Sequence, residues 1–97
     1  MDENVLTIEK IEVKPPRLWV VKLWNDDYTP TDFVVYVLET IFHKSATESE
    51  QLMLKAHNDG YAIVGIYTKE IAETKMINTH KLATAHGHPL KATIEVS

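Results

Sequence analysis

The chain has 97 residues, 44% of them apolar and 25% charged, with no cysteine and a net charge of −4. That describes one soluble globular domain without disulfide or thiolate chemistry, as suits a reducing cytoplasm. The acidic balance, with no basic stripe to release counterions, argues against a nucleic-acid binder. An acidic start unlike a signal peptide, and apolar runs too short for a span, argue against membrane insertion.

Residues 1–16 read as a flexible N-terminal extension and 17–97 as the core domain. Four acids and two lysines interleave with Val5, Leu6, Ile8, Ile11 and Val13 before the segment closes at Pro15-Pro16. Paired prolines enforce an extended backbone and mark a boundary. Five aliphatic residues exceed what a purely solvated tail needs, so a contact role stays open.

Arg17 to Trp24 is β-branched and aromatic and predicts a strand, with Trp19, Val21 and Leu23 on its buried face. Asn25-Asp26-Asp27-Tyr28 is turn chemistry, and the spacing predicts Thr29 as the N-cap of a helix, Pro30 as its first residue and Asp32 in its first turn. Phe33, Val34, Val37, Leu38, Ile41 and Phe42 form the apolar stripe of that helix. Thr47 with Glu50 predicts a capping box for a second helix carrying Leu52, Met53, Ala56 and His57, which ends at Asn58-Asp59-Gly60. Tyr61 to Tyr67 predicts a second strand, in which Gly65 implies a bulge or close backbone approach. Thr68 is expected to cap a third helix, with Ile71, Ala72, Met76, Thr79, Leu82 and Ala83 on its buried side. His86-Gly87-His88-Pro89 breaks the chain before a last alternating strand, Leu90 to Val96. Short alternating strands suggest a sheet with one wet face, so the helices cover the other. The expected fold is a two-layer α+β sandwich, β-α-α-β-α-β, with a three-stranded antiparallel sheet against three helices.

These blocks carry a resemblance. Trp24-Asn25-Asp26-Asp27-Tyr28-Thr29-Pro30, Phe33-Val34, Leu52 to His57, Tyr67 to Lys75 and His88-Pro89-Leu90 resemble the ClpS family, bacterial adaptors of the Clp AAA+ protease. The resemblance covers Arg17 to Val96 in order. It implies a non-enzymatic, monomeric cytoplasmic adaptor without cofactor. Such an adaptor binds N-degron proteins through a destabilising first residue (Phe, Leu, Tyr or Trp) and delivers them to the N-terminal domain of the Clp unfoldase. Carried over by position, it implies that Asn25, Asp26 and His57 hold the substrate α-amine. Asp27, Thr29, Thr31, Val34, Met53, Ala56 and Leu90 would line or gate the side-chain pocket, and Glu70 and Lys75 would dock to the unfoldase. Two positions depart from the family pattern: Thr31 replaces the usual methionine at the gate, and Ala56 replaces valine in the wall.

The chemistry suits these groups. A protonated amine presents three donors to carboxylate and amide oxygens, and a large apolar side chain fits a concave apolar pocket. Each feature also has a plainer reading. The Asn-Asp-Asp run is an ordinary solvated turn, His57 a helix-end histidine, Met53 core, and Glu70 with Lys75 a charged helix face. Two other function classes are an interaction domain without N-terminal recognition and an enzyme or metal protein. For the last, His80, His86 and His88 offer imidazoles to zinc, with no fourth ligand placed by spacing.

Overall fold

The computed structural model describes residues 14–97, so most of the expected 1–16 extension lies outside the described residues. Three strands and three helices follow in the expected order: β1 (Leu18–Trp24), α1 (Thr31–Thr40), α2 (Ala46–Asp59), β2 (Tyr61–Thr68), α3 (Lys69–Ala85) and β3 (Lys91–Val96). The sheet order is β2-β1-β3, antiparallel throughout, with β1 at the centre. Among the described residues no helix is long and apolar enough to cross a membrane.

Alternation decides which face of the sheet the helices cover. Val21 and Leu23 are fully buried, and with Ala62, Val64 and Ala92 they meet Val37 and Leu38 of α1, Ala56 of α2 and Ala72 of α3. Val20, Lys22 and Trp24 point the other way, where Lys22 pairs with Glu95 at 2.7 Å and lies over the Tyr61 ring. The sheet is thus dry on one face and wet on the other, as the alternating pattern requires.

Gly65 meets both sequence expectations. Val21 pairs with Gly65 while Lys22 pairs with Ile63, which leaves Val64 as an extra residue in β2. This bulge resets the alternation, so Ala62 before it and Tyr67 after it both face the helices. The Tyr67 ring then folds over Gly65, and a Cβ there would collide with the ring.

Several helix ends differ from expectation. Helix α1 starts at Thr31 with Pro30 as its N-cap, and Pro30 makes no side-chain bond. Its carbonyl accepts instead from the amides of Phe33 (3.1 Å) and Val34 (3.2 Å). Thr29 is not the cap because its hydroxyl is committed to Asp26. The N-cap of α2 is Ser45, with Glu48 three residues on, two residues earlier than Thr47-x-x-Glu50: Ser45 Oγ accepts from the Glu48 amide at 3.1 Å. Either spacing satisfies the motif, and the left-handed turn at His43 (φ 54°) sets where the helix can begin. Thr68 is the N-cap of α3 without a side-chain bond. On α3, Ile71 is 48% exposed rather than buried, while Ala72, Thr79 and Ala83 face the sheet. At the end of β3, Val96 is also exposed.

Candidate functional site

Asn25 follows the last paired residue of the central strand. Trp24 pairs with Tyr61 on one side and Lys91 on the other. One step further, Asn25 lies between Gly60 and Leu90, and its amide donates to the Gly60 carbonyl at 2.9 Å. Gly60 ends α2 in the left-handed conformation (φ 91°), and His57 stands in the last turn of that helix. Sheet register therefore brings Asn25, the His57 turn and Leu90 to one end of the fold, although they are far apart in sequence.

The turn itself is held by Asp26. Its Oδ1 accepts from the amides of Tyr28 (2.8 Å) and Thr29 (2.7 Å), and its Oδ2 from the Thr29 hydroxyl (2.7 Å). A carboxylate has about four acceptor sites, so three bonds leave Asp26 one. Burial pushes its pKa up, but the bonds from Thr29 and Tyr28, aided by the charge of His88, pull it further down. Asp27 is exposed, and its carboxylate makes no hydrogen bond among the described residues. The turn thus carries one carboxylate turned to structure and one turned to solvent. The C-terminal end of α2 beside it adds the negative pole of the helix dipole. A cation is the charge such a site favours.

The expected pocket residues divide into two groups. Val34, Ala56 and Leu90 are buried in the core cluster, at 9%, 4% and 4% exposure. Thr31 and Met53 border an open cavity of about 240 Å³ between α1 and α2, together with Asp32, Val35 and Glu50. That is smaller than the ~300–1,000 Å³ clefts of drug-sized ligands and suits a single side chain. Thr29, tied to Asp26, links the amide-rich turn to Thr31. Asn25 and Asp26 border a separate cavity with Trp24, Pro89, Lys91 and Thr93.

Glu70 and Lys75 sit together on α3, lining a cavity of about 320 Å³ with Thr40, Ile41, His43 and Ile71. Lys75 has a structural task as well. Its ammonium donates to the Ile41 carbonyl at 2.7 Å and lies 5.9 Å from the Phe42 ring centroid, capping the C-terminal end of α1. A cap delivered from a distant helix leaves no local signature in the sequence.

The zinc alternative is not supported by geometry. His80 Nε2 accepts the Ala92 amide at 3.0 Å, and His86 Nδ1 lies 3.2 Å from the Leu82 carbonyl. Among the described residues no three His, Cys, Asp or Glu side chains cluster as a metal site would need. His88 instead packs on Phe33, with ring centroids 4.6 Å apart. Sequence reasoning missed Trp24, Pro89 and Lys91 as neighbours of the turn. Pro89 beside Leu90 was the available signal, since a residue next to a pocket wall borders whatever lies beyond it.

A three-stranded, three-helix sandwich carrying a cation-favouring turn at its sheet end is a small α+β binding domain. Comparison with known proteins makes the assignment specific. The family model for the ATP-dependent Clp protease adaptor protein ClpS matches residues 14–93. The ClpS adapter protein of Deinococcus radiodurans is 48% identical over 89 residues, spanning 92% of this chain and 79% of that protein. The ClpS adapter protein of Leptospira biflexa is 49% identical over 97 residues, spanning 96% and 86%. The structure of Agrobacterium tumefaciens ClpS2 bound to L-phenylalaninamide superposes with a TM-score of 0.83 at 40% identity, covering 86% of this chain and all of that one. The chain belongs to the ClpS family, the adaptors of the ATP-dependent Clp protease.

Proposed function

We propose that this adaptor binds polypeptides by a free N-terminal α-amine and a large apolar first side chain (Phe, Leu, Tyr or Trp), and delivers them to the AAA+ unfoldase of the Clp protease. The observation that carries the reading is the relative at 40% identity bound to L-phenylalaninamide, a molecule that is little more than an α-amine and a phenyl side chain. The site here has the chemistry to match. The amine is held by Asn25, His57 and the remaining acceptor of Asp26, with Asp27 adding charge and the end of α2 adding its dipole. The side chain enters between α1 and α2, past Thr29 and Thr31, against Met53 and the wall of Val34, Ala56 and Leu90.

Glu70 and Lys75 mark the surface that meets the N-terminal domain of the unfoldase, and exposed Ile71 gives that surface an apolar element. Residues 1–16 form the extension that the machine engages during delivery, and residues 17–97 form the binding core, acting as a cytoplasmic monomer.

A titration with a fluorescent peptide beginning with Phe tests the reading, run against the same peptide acetylated at its α-amine. Acetylation removes the charge and leaves Asp26 and Asp27 facing a neutral guest, which weakens binding by about 2–5 kcal/mol if the pair is desolvated in the complex. Equal affinity for the two peptides defeats the proposal.

A further inference from the structure

The sheet face that the helices leave open divides lengthwise. Val20 and Lys22 of β1 point to it, and the residues directly opposite in β2, Ile66 and Ile63, share it. Leu18 begins the same row. Leu18, Ile63 and Ile66 are 49%, 48% and 54% exposed, and Val20 is half-buried. The β3 half of the face carries Lys91, Thr93 and Glu95 instead. A lone exposed aliphatic residue is ordinary, but adjoining ones on one half of a sheet form a patch of the kind that takes a partner. None of these four residues belongs to the first-residue site, which lies beyond the other end of β1.

Residues 1–13, which precede the described chain, have the chemistry and the reach to cover this patch. They hold Val5, Leu6, Ile8, Ile11 and Val13. They join the fold through Lys14 to Arg17, immediately before Leu18 at the corner of the patch. Those four linking residues span about 13 Å, more than the ~10 Å at which a layer packs on a sheet face. Charge agrees as well. Asp2, Glu3, Glu9 and Glu12 against Lys10 give residues 1–13 a side-chain charge of −3. Arg17 and Lys69 flank the end of the patch where the segment enters, since Lys69 follows Thr68, which lies opposite Leu18. So short a tether also holds the segment at an effective concentration in the millimolar range. A contact too weak to retain a free partner is therefore occupied here.

We propose that residues 1–13 fold back over the β1–β2 half of the open face and dock there through their aliphatic side chains. The contact itself needs no bound polypeptide, and its use rests on the recognition reading above. An extension lying on its own sheet is withheld from the unfoldase until it detaches, which makes detachment a step in delivery.

The chain has no cysteine, so Thr7→Cys gives the full chain a single attachment point for a nitroxide spin label. Isoleucine methyl NMR intensities, compared before and after reduction of the label, report proximity to it. Ile63 and Ile66 lie on the patch, whereas exposed Ile71 and Ile77 stand on α3, across the sheet. Ile63 and Ile66 should lose about half their intensity or more, at least about twice the fractional loss of Ile71 and Ile77. Adding Ile8→Asp and Ile11→Asp to the labelled chain should even out the four signals. Equal losses at all four without those changes, or a larger loss at Ile71 or Ile77, overturn the proposal, as does a selective loss that survives the two aspartates. The same selective loss with label and methyl groups on different molecules makes a second copy the occupant and overturns it too. None of these results bears on first-residue recognition, since no peptide is present.

Discussion

Replacing Asp26 with alanine removes three hydrogen bonds from one turn: two amides and a hydroxyl lose their acceptor. A charged acceptor satisfying buried donors is worth about 1.5–3 kcal/mol per bond, but this turn is exposed or part-buried and water replaces much of what is lost. The better comparison is loss of a helix cap, about 0.5–2 kcal/mol. We expect Asp26→Ala to destabilise the fold by about 1–2 kcal/mol, lowering the urea midpoint by about 1 M at an m-value of about 1–2 kcal/mol/M. Asp26→Asn keeps an oxygen for the Tyr28 and Thr29 amides and should lose about half as much. The pH dependence has a definite sign. The carboxyl titrates below its ordinary 3.8 in the folded chain: burial raises it, but the Thr29 and Tyr28 bonds and the His88 charge lower it more. A depressed folded value contributes stability that is complete above the unfolded pKa and lost as pH falls through the folded one. The gap between parent and Asp26→Ala should therefore hold steady from neutral pH down to about 4.5 and close below about 4, near the ordinary carboxylate range. Urea melts at several pH values measure it. A variant as stable as the parent, or a gap unchanged at pH 3, would show that Asp26 does not hold the turn.

Three further changes probe other parts of the structure. Gly65→Ala should cost about 1–3 kcal/mol, as an overpacked site does, because Tyr67 must swing away; in a Tyr67→Ala background the cost should nearly vanish, as a double-mutant cycle would measure. Ser45→Ala should destabilise by about 1 kcal/mol while Thr47→Ala stays within about 0.5 kcal/mol; thermal melts that reverse this order would restore Thr47 as the cap. If Thr31 gates the proposed pocket, it does so with a side chain shorter than methionine, and Ala56 lacks two methyl groups relative to valine. Aromatic first residues should thus bind best, with Leu favoured over Ile by less than about tenfold, or 1.4 kcal/mol. Thr31→Met should restore rejection of Ile, and matched peptides beginning with Phe, Leu, Ile and Val decide it; a parent that already binds Leu a hundredfold tighter than Ile rules out the open gate.

Much of the fold was legible because alternation and helical spacing report burial directly. Val21 and Leu23 on one strand face, and Phe33 to Phe42 on one helix stripe, are local patterns with one satisfactory solution. Gly65 was readable for the same reason, since glycine within a strand has few uses. The departures arise where two local solutions compete or where a partner is remote. Ser45 and Thr47 both head a capping box, and only the preceding left-handed turn chooses between them. Ile71 fits the buried pattern, yet the helix turns it outward and buries its neighbour Ala72 instead. Asp26 reads equally as ligand or as turn residue; the Asp-x-x-Thr spacing to Thr29 hinted at the second use. Lys75 capping α1 and His80 accepting from Ala92 are contacts across the fold, which no short window contains. The proposed docking role is accordingly tested at Glu70, because Lys75→Ala also frees the Ile41 carbonyl.

The central place of β1 has a mechanical consequence. A pull applied through the N-terminal residues enters the core at Leu18, the first residue of β1, which among the described residues is the strand bonded on both sides. Antiparallel ladder bonds lie across the strand axis, so the load falls on both ladders in shear and their bonds must yield together. The same pull on β3, which has a single neighbour, loads one ladder instead of two. A force from the N-terminal side thus acts along the direction in which the sheet is stiffest, while the Asn25 turn rides at the far end of the loaded strand.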